Sequence, residues 1–219
     1  MVRWFVSDRW GGVSEAPYDE LNIAYHTGDD PAAVEKNREI LYERCGIEGA
    51  VFMEQIHSCD IEYVDRICTP RCDGVVTDKP GLALAVMSAD CYGVLLYDTR
   101  GPAIAALHAG RAGAMGGIVT KALQILRRDF GAQKIEAVIS PGIGSCCYEV
   151  GEEILRQASP KYIKRERFLD IKEMIKDQLR EFGVGYVDYD ICTACDPNYY
   201  SYRRDGTTGR FASVIWRQP

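Results

Sequence analysis

Histidine is scarce in this chain, with three in 219 residues, so any imidazole chemistry must draw on very few positions. Long apolar runs are missing too. The start, "MVRWFVSDRWGG", has no apolar core of signal-peptide length and meets charge early. The longest apolar stretch, "GLALAVMSADCYGVLLY", is broken by Asp90 and is too short to cross a bilayer. These absences predict a cytoplasmic protein with no membrane partner. Blocks of like charge are also lacking, and the net charge is −6, whereas a nucleic-acid binder would show a basic stripe. The densest basic stretch, "KYIKRER", is flanked by acids and reads as solvated surface. With no repeat, linker or low-complexity tract, residues 1–219 read as one domain, long enough to bury a sizeable core.

Cysteine, by contrast, is plentiful. Nine residues are an odd count, and without an export signal they read as free thiols.

The apolar pattern alternates between two periods. "TGDDPAAVEKNREILYERCGI" predicts a helix capped by Asp30, with Pro31 in its first turn and Ala33, Ile40, Leu41 and Cys45 near helical spacing. "AVFMEQIHS" predicts a strand ending at His57, and "CDIEYVDRI" the next. "GLALAVM", "YGVLLYD" and "GPAIAALH" are continuous apolar runs, which suit strands covered on both faces. "GAMGGIVTKALQILRRDFG" turns helical, with Ile118, Ala122, Ile125 and Leu126 as its buried stripe. "IEAVIS", "YVDYDIC" and "RFASVIW" read as strands and "DIKEMIKDQLREFGV" as a helix. The mixture lacks a strict βαβ rhythm, which predicts an α+β fold of mixed sheets flanked by helices.

Three apolar runs end on reactive residues: His57, Cys91 and His108. Two imidazoles, a thiolate and a water make the ligand set of a catalytic zinc. The same residues also describe a cysteine nucleophile with a histidine base oriented by Asp90 or an amide, or an inert buried thiol beside two core histidines. "CTAC" at 192–195 with "CTPRC" at 68–72 offers a looser four-cysteine set, against incidental thiols. "SPGIGSCCYEVGEE" presents free amides for an anion, or merely a tight turn. Arg203, Arg204 and Arg210 lie among glycines and aromatics, and Arg9 beside paired glycines, where arginine suits phosphate or carboxylate.

Taken in order, "DRWGGVSEAPYDELNIAYHTGDDPAAVEKNR", "EQIHS", "LALAVMSADCYGVLLYD", "AALHAGRAGAMGGI", "PGIGSCCYEVGEE" and "YYSYRRDGTTGRFASVIW" resemble the laccase-domain family of YfiH/YlmD type, once called polyphenol oxidases, from about residue 5 to 216. The resemblance implies an α+β domain of YfiH type, distantly like the cysteine hydrolases of deamidating toxins. It implies zinc on His57, Cys91 and His108, and phosphorolysis of purine nucleosides. Adenosine deamination and methylthioadenosine cleavage are related activities. Copper-dependent phenol oxidation also attaches to the family, with copper ranked below zinc here. By the same resemblance Arg9 and Arg203 become phosphate or substrate contacts, Asn22 positions substrate and Cys147 lines the pocket. One departure stands out. The family's "HAGWRG" is "HAGRAG" here, so the tryptophan becomes Arg111 and the arginine Ala112. A hydrolase using Cys91, or a non-catalytic nucleoside sensor, are the competing expectations.

Overall fold

The computed structural model describes residues 1–218. Its strands are β1 (Val2–Val6), β2 (Ala50–Phe52), β3 (Ile61–Tyr63), β4 (Gly74–Thr77), β5 (Ala83–Ser88), β6 (Tyr92–Asp98), β7 (Ile104–Ala109), β8 (Ile135–Ile139), β9 (Ile163–Lys164), β10 (Phe168–Leu169), β11 (Gly185–Asp188) and β12 (Phe211–Arg217). The helices are α1 (Pro31–Cys45), α2 (Arg111–Met115), α3 (Ile118–Phe130), α4 (Glu152–Leu155), α5 (Ile171–Glu181) and α6 (Tyr202–Asp205).

Two mixed sheets result. One has the order β1-β12-β5-β2 and the other β11-β8-β6-β7-β4-β3, while β9 and β10 form a separate hairpin. The period-2 alternation of strands decides what each sheet buries. On β5, Leu84 and Val86 face the layer between the sheets, with Leu95, Ile104 and Ala106 of the other sheet. Ala83, Ala85 and Met87 turn outward, where Leu41 and Cys45 of α1 cover them. On β7, Ala105, Leu107 and Ala109 face α3 and α5 through Ile118, Leu123 and Ile175. The layers are therefore α1, sheet, sheet, then α3 and α5. This double covering explains why the central strands lack polar alternation: every residue of β5 and β7 is buried.

The Asp30 carboxylate caps α1 by accepting from Ala32 N, Pro31 sits at the first position, and Gly46 ends the helix at φ 66°. Its buried stripe is Val34, Asn37, Leu41 and Cys45, displaced from the predicted one because Asn37 is drawn in by loop carbonyls. The glycine-rich helix after β7 is two helices, broken where Gly117 takes φ 76°. The strand expected to reach His57 stops at Phe52, five residues short. Loop 53–60 there folds back around a buried carboxylate instead.

Candidate active site

The site forms where the two sheets part. His108 shares parity with Ile104 and Ala106, so it points into the layer between the sheets, near the end of β7. Antiparallel pairing of β4 with β7 sets Gly74 opposite Leu107, which brings Asp73 beside His108. The His108 N–H donates to the Asp73 carbonyl at 2.7 Å, and Asp73 Oδ1 meets His108 Nδ1 at 2.7 Å. Nε2 is thereby left to face the cavity. Asp73 also gathers loop 56–58: its carboxylate accepts from the amides of Ile56, His57 and Ser58 and from the Ser58 hydroxyl. One carboxylate thus orients one histidine through its ring and a second through its backbone. Burial alone would push the Asp73 carboxyl up. The His108 hydrogen bond and the Ser58 donors outweigh it and hold Asp73 at about 2.

Cys91 lies in the turn that carries the chain from β5 in one sheet to β6 in the other. His57 and Asp90 both hold positive φ, 60° and 98°, in a region that L residues rarely occupy. Such strain gathers at sites where side-chain direction matters more than local comfort. Asp90 is held by the Thr193 hydroxyl at 2.7 Å and the Arg203 amide at 2.6 Å.

The donor atoms of His57, Cys91 and His108 all lie within 4.8 Å of one another. The two imidazoles meet edge to face with centroids 5.0 Å apart. A Cβ on Gly110 would come within 2.8 Å of Cys91 Sγ and 3.6 Å of the His57 ring, so the backbone approach requires glycine. Burial pushes the Cys91 thiol up, but His108 and then His57 reverse this and bring it down to about 6. Burial likewise lowers His108, while Cys91 and Asp73 raise it to about 9. Without a bound cation the pair is a thiolate facing an imidazolium.

These residues open onto a cavity of about 690 Å³. Its walls include His26, Tyr148, Tyr202, Arg203 and Arg210. A larger depression of about 1040 Å³, around Gly46, Asp65 and Lys79, contains no such cluster among the described residues. The Arg203 guanidinium donates to the carbonyls of Cys147 and Glu149 and lies 5.1 Å from the Tyr148 ring. Arg210 uses Nη1 on the carbonyls of Thr208 and Gly209, leaving Nε and Nη2 unpaired among the described residues. Burial first, then Arg210, lowers the His26 imidazole, which is neutral at pH 7.

Arg203 is thus in the cavity wall, but three other predicted site residues are not among those that line it. Arg9 is paired to Asp19 at 2.9 Å and stacked 4.9 Å from the Tyr200 ring. Asn22 is wholly buried; its side-chain Oδ1 accepts from Arg210 N, and its side-chain amide donates to Thr27 and Asp29 of the loop that carries His26. Cys147 belongs to a knot with Cys146, Cys192 and Cys195, whose sulfurs lie within 4.8 Å of one another. "CTAC" therefore meets "CC" and not "CTPRC": Cys72 is buried in the intersheet layer and contacts the Gly74 carbonyl. Most amides of "PGIGSCC" are already engaged: Gly142 N donates to Ile191 O, Ile143 N to Asp90 O, Gly144 N to Cys192 Sγ and Cys147 N to Gly144 O. Arg111 opens α2 beside the Tyr148 hydroxyl, so the substituted arginine reaches the cavity wall. Asp73, His26 and Arg210 complete the site. Asp73 carried a signal in its place before an apolar run, but only the register of β4 on β7 reveals it.

The profile of the family described as multi-copper polyphenol oxidoreductase laccase matches residues 3–218. A purine nucleoside phosphorylase of Mycobacterium bovis is 41% identical, over 99% of this chain and 92% of its own. The purine nucleoside phosphorylase YfiH of Shigella flexneri is 35% identical, over 96% and 91%. Among solved structures, YlmD from Geobacillus stearothermophilus superposes with a TM-score of 0.91 at 29% identity, covering all of this chain and 92% of that one. The Bacillus licheniformis protein YfiH gives 0.92 at 29%, covering 99% and 93%. The chain belongs to this laccase-like family of YfiH type.

Proposed function

We propose that this protein is a purine nucleoside phosphorylase whose cavity holds a zinc ion on His57, Cys91 and His108. The observation that carries the reading is the convergence of two imidazoles and a thiolate on a cavity that also presents Arg203 and Arg210. The donor set fits zinc: two nitrogens, one sulfur, room for a fourth ligand from the cavity, and a carboxylate behind one histidine. A bound zinc supplies Lewis-acid charge stabilisation at this wall.

The remaining chemistry falls to the chain. A nucleoside and a phosphate fit within a cavity of about 690 Å³. In phosphorolysis a phosphate oxygen bonds to the ribose anomeric carbon, the glycosidic bond breaks, and its electron pair passes to the purine nitrogen, which takes up the proton that hydrogen phosphate gives up. Arg203 and Arg210 supply the cations that hold phosphate and offset its charge. Arg111 reinforces that side through Tyr148, taking up the cationic role from its own position. Neutral His26 offers a hydrogen bond to the base. Asn22 acts behind the wall by fixing Arg210, and Arg9 by bracing the N-terminal loop.

The alignment Asp73–His108–Cys91 also has the order of a cysteine nucleophile with its base and orienting acid, which supports hydrolysis as a second reading. Zinc-loaded protein incubated with adenosine or inosine, with and without phosphate, separates the two. Phosphate-dependent release of adenine or hypoxanthine, lost in His108→Ala, is the expected result. Release independent of phosphate, or none while zinc stays bound, overturns the phosphorylase reading. Inosine formed from adenosine in the same chromatogram scores deaminase activity.

A further inference from the structure

The four cysteines beside the cavity form a constellation that phosphorolysis does not use. Their meeting follows from the sheet. β8 and β11 are parallel neighbours, Ile139 opposite Asp188, so their C-terminal loops leave side by side. Beyond the ladder an isolated parallel bridge joins Gly142 and Cys192, with Thr193 N donating to Gly142 O at 3.1 Å. Beyond it the two loops curl toward each other. Cys146 and Cys147 come from one, and Cys192 and Cys195 from the other.

The sulfur geometry is that of a coordination shell. Cys195 Sγ lies 3.3 Å from Cys147 Sγ and 3.7 Å from Cys146 Sγ, and all four sulfurs fall within 4.8 Å. Four thiolates at the zinc–sulfur distance of about 2.3 Å form a tetrahedron with edges of about 3.8 Å. A disulfide brings sulfurs to about 2.05 Å and concerns one pair at a time. Here Cys195 is shared between two neighbours and no pair is joined. A backbone donor already serves the sulfurs: Gly144 N–H points at Cys192 Sγ from 3.2 Å. A Cβ on Gly144 would come within 3.2 Å of Cys146 Sγ and 3.6 Å of Cys192 Sγ, so the loop backbone lies in close contact with the sulfurs.

We propose that Cys146, Cys147, Cys192 and Cys195 bind a second zinc ion, in a closed four-thiolate site that ties the β8 and β11 loops together. Four protein ligands leave no open position, so the site is structural. It fastens the wall of the cavity: the Arg203 guanidinium holds the Cys147 carbonyl, and the Thr193 hydroxyl, inside the CxxC turn, holds Asp90.

The test is metal content of the full-length protein purified under reducing conditions, loaded with zinc and desalted. Wild type is expected to carry two zinc ions per chain, Cys91→Ser to keep at least the thiolate-bound one, and Cys146→Ser/Cys195→Ser to lose one. Cobalt loading of Cys91→Ser gives a second readout that does not depend on how the double variant folds. With Cys91 gone, sulfur-to-cobalt charge-transfer absorption of tetrahedral intensity comes from the knot alone. No such absorption, with all four thiols reacting freely with a thiol reagent or recovered as disulfides in peptide maps, overturns the proposal.

Discussion

The two metal-capable clusters lie on either side of one cavity wall, yet they are built on opposite plans. The His57–Cys91–His108 set comes from three distant segments and is held by a carboxylate, Asp73, that is wholly buried, and one side opens onto the cavity. The four-cysteine knot comes from two adjacent loops, has the Gly144 amide behind it, and leaves Cys146 and Cys195 exposed. Mixed donors with a vacant direction suit chemistry, whereas a uniform closed shell suits a fastening. The difference shows also in the thiols. Cys91 is drawn down to about 6 by His108, while burial and neighbouring thiols push Cys146 up to about 11. Imidazole turns Cys91 toward thiolate; within the knot the thiols divide, since the Gly144 amide and the neighbouring thiols outweigh burial and lower Cys192.

The strongest way to break this contrast is to empty the cavity side. His108→Ala or Cys91→Ser should reduce phosphorolysis by roughly 100-fold or more, since a bound metal and its charge stabilisation are worth several kcal/mol. Steady-state release of hypoxanthine from inosine measures it, and unchanged turnover would deny the cluster any part in the reaction. Asp73→Asn leaves all three donors in place but removes the carboxylate behind His108. Loss of such a partner typically weakens metal affinity by about 10–100-fold, and a competitive chelator titration reads the change. The same variant should leave a metal on the four-cysteine knot untouched.

A milder effect is expected at the arginines. Arg210→Ala should raise the KM for phosphate by about tenfold, the scale of one charge-assisted hydrogen bond, with less change in the KM for nucleoside. Equal changes in both would place Arg210 outside the phosphate site. The smallest contrast lies in alkylation of chelator-treated protein by iodoacetamide. The depressed Cys91 pKa means that its thiolate forms as pH rises through about 6, while His108 remains protonated up to about 9. Between those values Cys91 should label faster than Cys146 by roughly tenfold, because the weaker nucleophilicity of a low-pKa thiolate offsets much of its greater ionisation. Zinc should suppress the Cys91 reaction. Labelling equally fast with and without zinc would favour the nucleophile over the ligand.

Much of this was legible in the residues. The capped helix at Asp30, the apolar central strands and the amphipathic α3 follow from local propensity and periodicity, which short-range sterics and burial enforce. Resemblance through ordered motifs pointed to the family and to His57, Cys91 and His108 as partners. Spacing alone did not, because the three are far apart in the chain and only sheet packing closes the distance.

Other relations belong to the tertiary structure alone. The register of β4 on β7 places Asp73 behind His108, and the parallel pairing of β8 with β11 chooses "CC" over "CTPRC" as the companion of "CTAC". The long loop 53–60 carries His57 to its place by wrapping a carboxylate, where periodicity predicts only a longer strand. Arg9 and Asn22 match their motifs but serve the wall from behind. The sequence by itself determined which segments are helix or strand and which faces they bury, since those depend on neighbours in the chain. Which reactive side chains meet was decided by strand register and by the meeting of two sheets, where contacts form between residues that no local rule connects.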